Sequence, residues 1–212
     1  MLAPLECENT IMILGVISDT HGMLCLPSMD LLRGCDHILH AGDIGDPEIL
    51  TRLATIAPVT AVRGNIDKSA WAEKLPQTEV YEADGVFIYL LHKIDDLDLK
   101  PEVAGFAAVV YGHSHLPKIE TRKGVLYFNP GSAGPRRFEV PVALGRLLIE
   151  NGKVRAEILE IPLKYLAGYC VRLSFRTAIG KLCISIALGS AALQRRKKAA
   201  KLPGFNRRGK WV

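Results

Sequence analysis

No stretch of the sequence is apolar for long enough to cross a bilayer. The run Ile11 to Ile17 is seven residues. Leu182 to Leu193 is twelve and is broken by Ser185, Gly189 and Ser190, against the ~20 that a spanning helix needs. The first ten residues, MLAPLECENT, contain Glu6 and Glu8 and no basic run, so no secretory signal is expected and the protein is placed in the cytoplasm. Cys7, Cys25, Cys35, Cys170 and Cys183 are odd in number and form no CxxC pair. That pattern excludes a disulfide framework and a zinc knuckle, and the five are read as reduced thiols. Acid is missing altogether after Tyr165: residues 165–212 hold eleven Lys and Arg and no Asp or Glu. Residues 1–164 hold sixteen basic and twenty-two acidic residues, so the net charge of +5 hides an acidic body and a basic tail. The body, 1–164, is expected to be one domain. The tail, 165–212, is expected to be disordered or marginally helical, with Leu182, Ile186 and Leu193 offering an apolar face. A basic arm for nucleic acid or anionic lipid is the alternative, disfavoured because only Phe205 and Trp211 supply rings in its most basic part.

What is present is a core and a rhythm. Of the 212 residues, 49% are hydrophobic, and nineteen glycines with twelve prolines suit a loop-rich α/β domain. Strands are predicted over Ile11–Ile17, Asp36–His40 and Val59–Arg63. They alternate with helices predicted over 23–33 and Pro47–Ile56, the second opening with Pro47 and Glu48 as helix starts favour. Such alternation implies βαβ units and a sheet that begins as parallel. After residue 75 the pattern turns to hairpins. Thr78–Ala83 and Val86–Leu91 flank Asp84-Gly85, and strands follow at Ala107–Tyr111, Lys118–Thr121, Val125–Phe128, Val142–Glu150 and Val154–Glu160, with Lys123-Gly124 and Asn151-Gly152 as two further turn pairs. Two sheets packed face to face with helices outside are expected.

The polar residues of interest stand where these strands end, the place where open α/β sheets bind ligands. Five strand ends deliver Asp19 and His21, Asp43, Asn65, His92, and His113 with His115. Carboxylate oxygen with imidazole nitrogen is a borderline donor set, suited to manganese, iron, zinc or similar ions rather than calcium. Two such cations roughly 3.5–4 Å apart can clamp the attacking and leaving oxygens of a phosphate ester and supply hydroxide near neutral pH. One Asp-x-His alone is more often a capping turn. Four of the six histidines gathered in such blocks is a different matter, and leaves His37 and His40 as structural or surface residues.

The blocks ISDTHG (17–22), HAGDIGD (40–46), VRGNID (62–67), LLH (90–92), YGHSHLP (111–117) and NPGS (129–132) resemble the calcineurin-like metallophosphoesterase superfamily. Over residues 11–163 the chain is most similar to its small YfcE-type phosphodiesterases. The resemblance implies a four-layer α/β/β/α sandwich of two mixed sheets with flanking helices, and self-association. It implies two divalent metal ions, manganese first, with nickel, zinc, iron or magnesium as alternatives. Asp19, His21 and His115 would hold one ion; Asn65, His92 and His113 the other; Asp43 would bridge them. Asp43, Asn65 and His92 are the residues expected to serve catalysis as well. The implied reaction is in-line attack by a bridging hydroxide on a small or nucleotide-like phosphate ester.

The chain departs from the family at Ile66, where many members have a histidine able to protonate the leaving group. It departs again at Lys93, where glycine usually follows the ligand histidine. Asp67 is expected to orient the site from behind. The turn after Asn129, with Arg136-Arg137, is read first as structural. A non-catalytic scaffold, as in the retromer subunit that resembles these enzymes, is the rival reading, and a nuclease using the tail a third.

Overall fold

The computed structural model describes residues 11–136 and 139–162, together with the backbone of residues 170–172. The first strand shows why the chain folds as it does. β1 (Met12–Ile17) is apolar along its whole length because both its faces are covered. Leu14 and Val16 point to one side, whereas Ile13 and Ile17 point to the other. β1 pairs in parallel with β3 (His37–His40), which pairs in parallel with β4 (Val59–Ala61). On its other edge it meets β10 (Ala143–Glu150), which forms an antiparallel hairpin with β11 (Lys153–Glu160). The first sheet therefore has the order β11-β10-β1-β3-β4.

The second sheet has five strands in the order β5-β6-β7-β9-β8, formed by β5 (Thr78–Ala83), β6 (Val86–Leu91), β7 (Ala108–Val110), β8 (Lys118–Arg122) and β9 (Val125–Asn129). β6, β7 and β9 run parallel and the two edge strands antiparallel. The three hairpin turns predicted from sequence form, with Asp84, Lys123 and Asn151 each at positive φ before a glycine also at positive φ.

The sheets pack face to face. Leu14, Val16, Leu39, Leu147 and Ile149 of the first meet Val86, Ile88, Leu90, Val110 and Phe128 of the second. Each such fully buried side chain contributes about 1.5–3 kcal/mol by leaving water. Gly145 fits this interface, since a Cβ there would lie 2.2 Å from Cζ of Phe128. On the outer face of the first sheet lie α1 (Leu26–Leu32) and α2 (Pro47–Ala54), which bury Leu31, Leu32, Ile49 and Leu53. α2 starts where the sequence places it. Asp46 caps it by accepting from the Glu48 amide at 2.9 Å, with Pro47 in the first turn.

Two details differ from expectation. The helix predicted over 23–33 begins three residues late, because Met23–Cys25 forms a short strand, β2, antiparallel to β12 (Cys170–Arg172). Pairing with a distant segment, invisible in the local sequence, overrode the helical pattern there. The layer outside the second sheet is also thin. Ile94 of a tight helical turn at Ile94–Asp96 packs with Leu97, Leu99 and Phe106 against Tyr89, Leu91, Val109 and Tyr127, and the short α3 (Pro101–Ala104) buries only Pro101. The remainder of the basic tail, for which disorder or marginal helicity is expected, lies outside the described residues. Among the described residues no helix is long and apolar enough to cross a membrane. Cys35 is buried, and burial pushes its thiol above the ordinary value, which suits an inert structural cysteine.

Candidate metal centre

The carboxyl ends of parallel strands from both sheets converge on one edge of the sandwich. Hydrogen bonds stitch the emerging loops together there. The amides of Asp19, His21 and Gly22 donate to the carbonyls of Gly42, Asp43 and Ile44 at 3.0, 3.0 and 2.8 Å. The Gly112 amide donates to the carbonyl of His92 at 2.9 Å. Strand-like pairing thus continues past the strands proper and fixes where each polar side chain can reach.

All seven candidate residues meet at this edge, in two lobes. In the first, Nε2 of His115 lies 3.3 Å from Oδ1 of Asp19 and 3.2 Å from Nε2 of His21, which comes from 94 residues earlier. In the second, Oδ1 of Asn65 lies 3.1 Å from Nε2 of His92 and 3.0 Å from Nδ1 of His113. Asp43 stands between them. Its Oδ2 faces His21 Nε2 at 3.8 Å and its Oδ1 faces His92 Nε2 at 3.3 Å. One carboxylate therefore presents one oxygen to each lobe. The first lobe is closed, with Asp19 buried and His21 only 12% exposed; the second opens to solvent through Asn65 and His113.

The backbone is bent to achieve this. Asp19, His21, Asp43, His113 and His115 all have positive φ, between 47° and 69°, as does no other described non-glycine residue outside the three hairpin turns. Such conformations cost energy, are held only by the surrounding structure, and cluster at functional sites. Glycines make the close approaches possible. A Cβ on Gly64 would lie 2.1 Å from Oδ1 of Asp43, and one on Gly112 would lie 2.0 Å from Oγ of Ser18.

Three observations show that the residues suit cations. Oδ1 of Asp19 and Nδ1 of His115 are buried and have no hydrogen-bond partner. Buried polar atoms are normally satisfied, so Oδ1 of Asp19, which faces Nε2 of His115 at 3.3 Å, calls for a missing partner there. Two imidazole Nε2 atoms face one another at 3.2 Å beside that carboxylate, which suits donors converging on an ion. Nδ1 of His92 is 2.7 Å from the Ala41 carbonyl, which fixes its proton there and turns the Nε2 lone pair toward the oxygens of Asn65 and Asp43. Asp19, His21 and His115 form one compact donor group, and Asp19, Asp43 and His92 a second. Burial alone would lower the His92 pKa, yet the hydrogen bond and charge of Asp43 raise it above the ordinary value. Burial would likewise raise that of Asp43, but His92, the Ile66 amide and His21 hold it below. Both directions favour the charged pair, so a cation taken up between them would compete with a proton on His92.

The supporting residues were only partly legible. Asp67 does sit behind the site, but it holds backbone rather than a ligand side chain. Its Oδ2 accepts from the amides of Ile44 and Gly64 at 3.0 and 2.9 Å, and its Oδ1 from Gly45 at 2.8 Å. Asn129 donates to the carbonyl of Gly112 at 2.8 Å, and so holds the 112–115 loop, in keeping with a structural reading of its turn. Arg136 pairs with exposed Glu139 at 3.6 Å, while Arg137 lies outside the described residues. Ser18, whose hydroxyl donates to Oδ2 of Asp19 at 2.7 Å, was missed, although its place beside the aspartate is a signal.

His37 and His40 stay out of the two lobes. His37 bonds to Thr60 Oγ1 at 2.8 Å and lies against Tyr81. His40 is fully buried; its Nδ1 accepts from the Gly42 amide at 3.2 Å and its Nε2 lies 3.0 Å from Thr20 Oγ1. Burial lowers its pKa to about 4, despite the nearby carboxylates. A histidine kept neutral in the fold stabilises it fully above the unfolded value of ~6.5, and that stability is lost as pH falls toward 4. Between those limits the wild type should lose about 3 kcal/mol more than His40→Gln, read from urea unfolding at several pH values. Parallel pH profiles for the two proteins would remove His40 from this role.

Residues 12–152 match the family model of the calcineurin-like phosphoesterase superfamily domain. The chain belongs to that superfamily. It is 33% identical over 177 residues to a probable metallophosphoesterase of Methanothermobacter thermautotrophicus, covering 78% of this chain and 99% of the relative. Its fold is shared with a solved archaeal phosphodiesterase at a TM-score of 0.59 and 22% identity, covering 70% of this chain and all of the other, 100%. YfcE, a phosphoesterase from E. coli, has the fold at a TM-score of 0.51 and 24% identity, covering 69% and 98%. Family membership supports a phosphoester hydrolase. Calcineurin-like phosphoesterases of this fold are α/β proteins built on two mixed sheets, as observed here.

Proposed function

We propose that this calcineurin-like phosphoesterase is a dinuclear metal-dependent phosphodiesterase or phosphatase. The observation that carries the reading is Asp43, which offers one oxygen to each of two donor lobes at the same edge of the sandwich. Asp19, His21 and His115 would hold one divalent cation, and Asn65, His92 and His113 the other. When bound, the ions would supply an activated water and a clamp for phosphoryl oxygens. The chain's own residues do the rest. Ala41 orients His92 through its carbonyl. Ser18 and the His113 amide hold Oδ2 of Asp19, leaving Oδ1 for an ion. The exposed Asn65 amide stands where it can also bind substrate phosphate. Ile66, 41% exposed beside it, can exchange no proton, which favours esters with good leaving groups. Manganese is taken as the first candidate ion, with nickel, zinc, iron and magnesium behind it; donors of oxygen and imidazole nitrogen accept any of these. A retained, complete donor set also argues against a purely structural use of the fold.

Chelation should abolish hydrolysis of an aryl phosphodiester, and manganese should restore it with two ions bound per chain. The rate on the diester relative to the monoester separates phosphodiesterase from phosphatase. Turnover that survives exhaustive chelation would sink the metal-dependent reading.

A further inference from the structure

A cleft of about 510 Å³ opens directly off the second donor lobe, with Asn65, His92 and His113 in its wall. Two cations share that wall, and each is fixed there by a neighbouring candidate ligand. Arg63 precedes the Gly64-Asn65 pair, and Lys93 follows His92. Arg63 is half-buried and makes no ion pair or side-chain hydrogen bond among the described residues. Lys93 lies 3.7 Å from Asp95, whose side chain is 76% exposed, an arrangement that neutralises little. The acids that share the cleft, Asp96 and Asp98, are exposed and screened by water. Of the charged residues lining the cleft, the two cations are nearest the donors along the chain, and the Arg63 side chain has no ion-pair partner among the described residues.

A cleft-lining arginine with no partner among the described residues is free to take an anionic group. The donor lobes already account for the reacting phosphate. We propose that Arg63, with Lys93 beside it, forms a subsite for a second phosphate of the substrate, carried on a substituent of the scissile ester. Arginine suits this because its planar fork takes phosphate oxygens in pairs. Tyr89 and Leu91, both buried, lie beneath the same cleft and support its wall. The substrate class that follows is a phosphodiester bearing an additional phosphomonoester. This inference rests on the phosphoesterase reading above and adds the substrate's second anionic group to it.

Two p-nitrophenyl alkyl phosphodiesters differing only in whether the alkyl chain ends in methyl or phosphate provide the test, with nitrophenol release as readout. The phosphate-bearing ester should have kcat/KM about tenfold higher or more, mainly through KM, with the advantage shrinking in salt. Arg63→Gln should erase that preference, and Arg63→Lys should keep part of it. Calorimetry gives a readout independent of turnover: propane bisphosphonate should bind tighter than propyl phosphonate in wild type and no tighter in Arg63→Gln. Equal kcat/KM for both esters in the wild type would overturn the subsite. So would an Arg63→Gln variant that slows both esters by one factor, since Arg63 would then act on the reacting phosphate. If neither ester turns over with any metal, the hydrolase reading fails, and the calorimetric difference still decides for or against the subsite.

Discussion

Asp43→Asn should lose turnover by about a thousandfold or more while keeping the fold. Asp43 is 3% exposed, sits at φ 54°, and accepts the Ile66 amide at 3.1 Å through the oxygen that also faces His92. Asparagine tolerates the left-handed conformation as aspartate does, and its amide oxygen can still take the Ile66 amide. What the substitution removes is the negative charge and the second oxygen. One of the two lobes then meets an NH₂ group, which repels a cation. Bound metal should fall from two ions per chain to one or none by elemental analysis, with far-UV circular dichroism unchanged. Two ions retained with most of the activity would show that Asp43 does not bridge.

Asp67→Ala should have the largest effect on stability. The Asp67 carboxylate is buried and takes three amides, from Ile44, Gly45 and Gly64. A hydrogen bond to a charged group contributes about 1.5–3 kcal/mol, and an amide left buried and unpaired adds its own cost. Because water can reach part of the opened site, a total loss on the order of 3–5 kcal/mol is expected from chemical denaturation. These amides lie in the loops that carry Asp43 and Asn65, so metal affinity should fall with stability. Asp67→Asn, which keeps the volume and one strong acceptor, should recover part of both. A stable Asp67→Ala protein with unaltered metal affinity would show that the loops hold themselves. Together the two substitutions distinguish a residue that meets the ions from one that only holds backbone.

The sequence by itself determined which side chains gather at this edge as candidate ligands. Asp19, His21, Asp43, Asn65, His92, His113 and His115 could be named because each follows a short apolar run, and strand ends are where a sheet presents ligands. The hairpins were legible for a comparable reason, since Asp84-Gly85, Lys123-Gly124 and Asn151-Gly152 encode their turns locally. Relations between distant residues were not legible. That His21 and His115 face each other at 3.2 Å, or that the two oxygens of Asp43 divide between two lobes, follows from the packing of one sheet on the other. β2 was missed because its partner is nearly 150 residues away, and no local pattern carries that pairing. His40 and His92 show the same limit. Both are buried histidines at strand ends, yet burial holds one neutral while Asp43 draws a proton to the other. Local sequence sets the chemistry each side chain can perform. Charge, strain and access depend on neighbours brought in from elsewhere in the chain, and those only the tertiary structure decided.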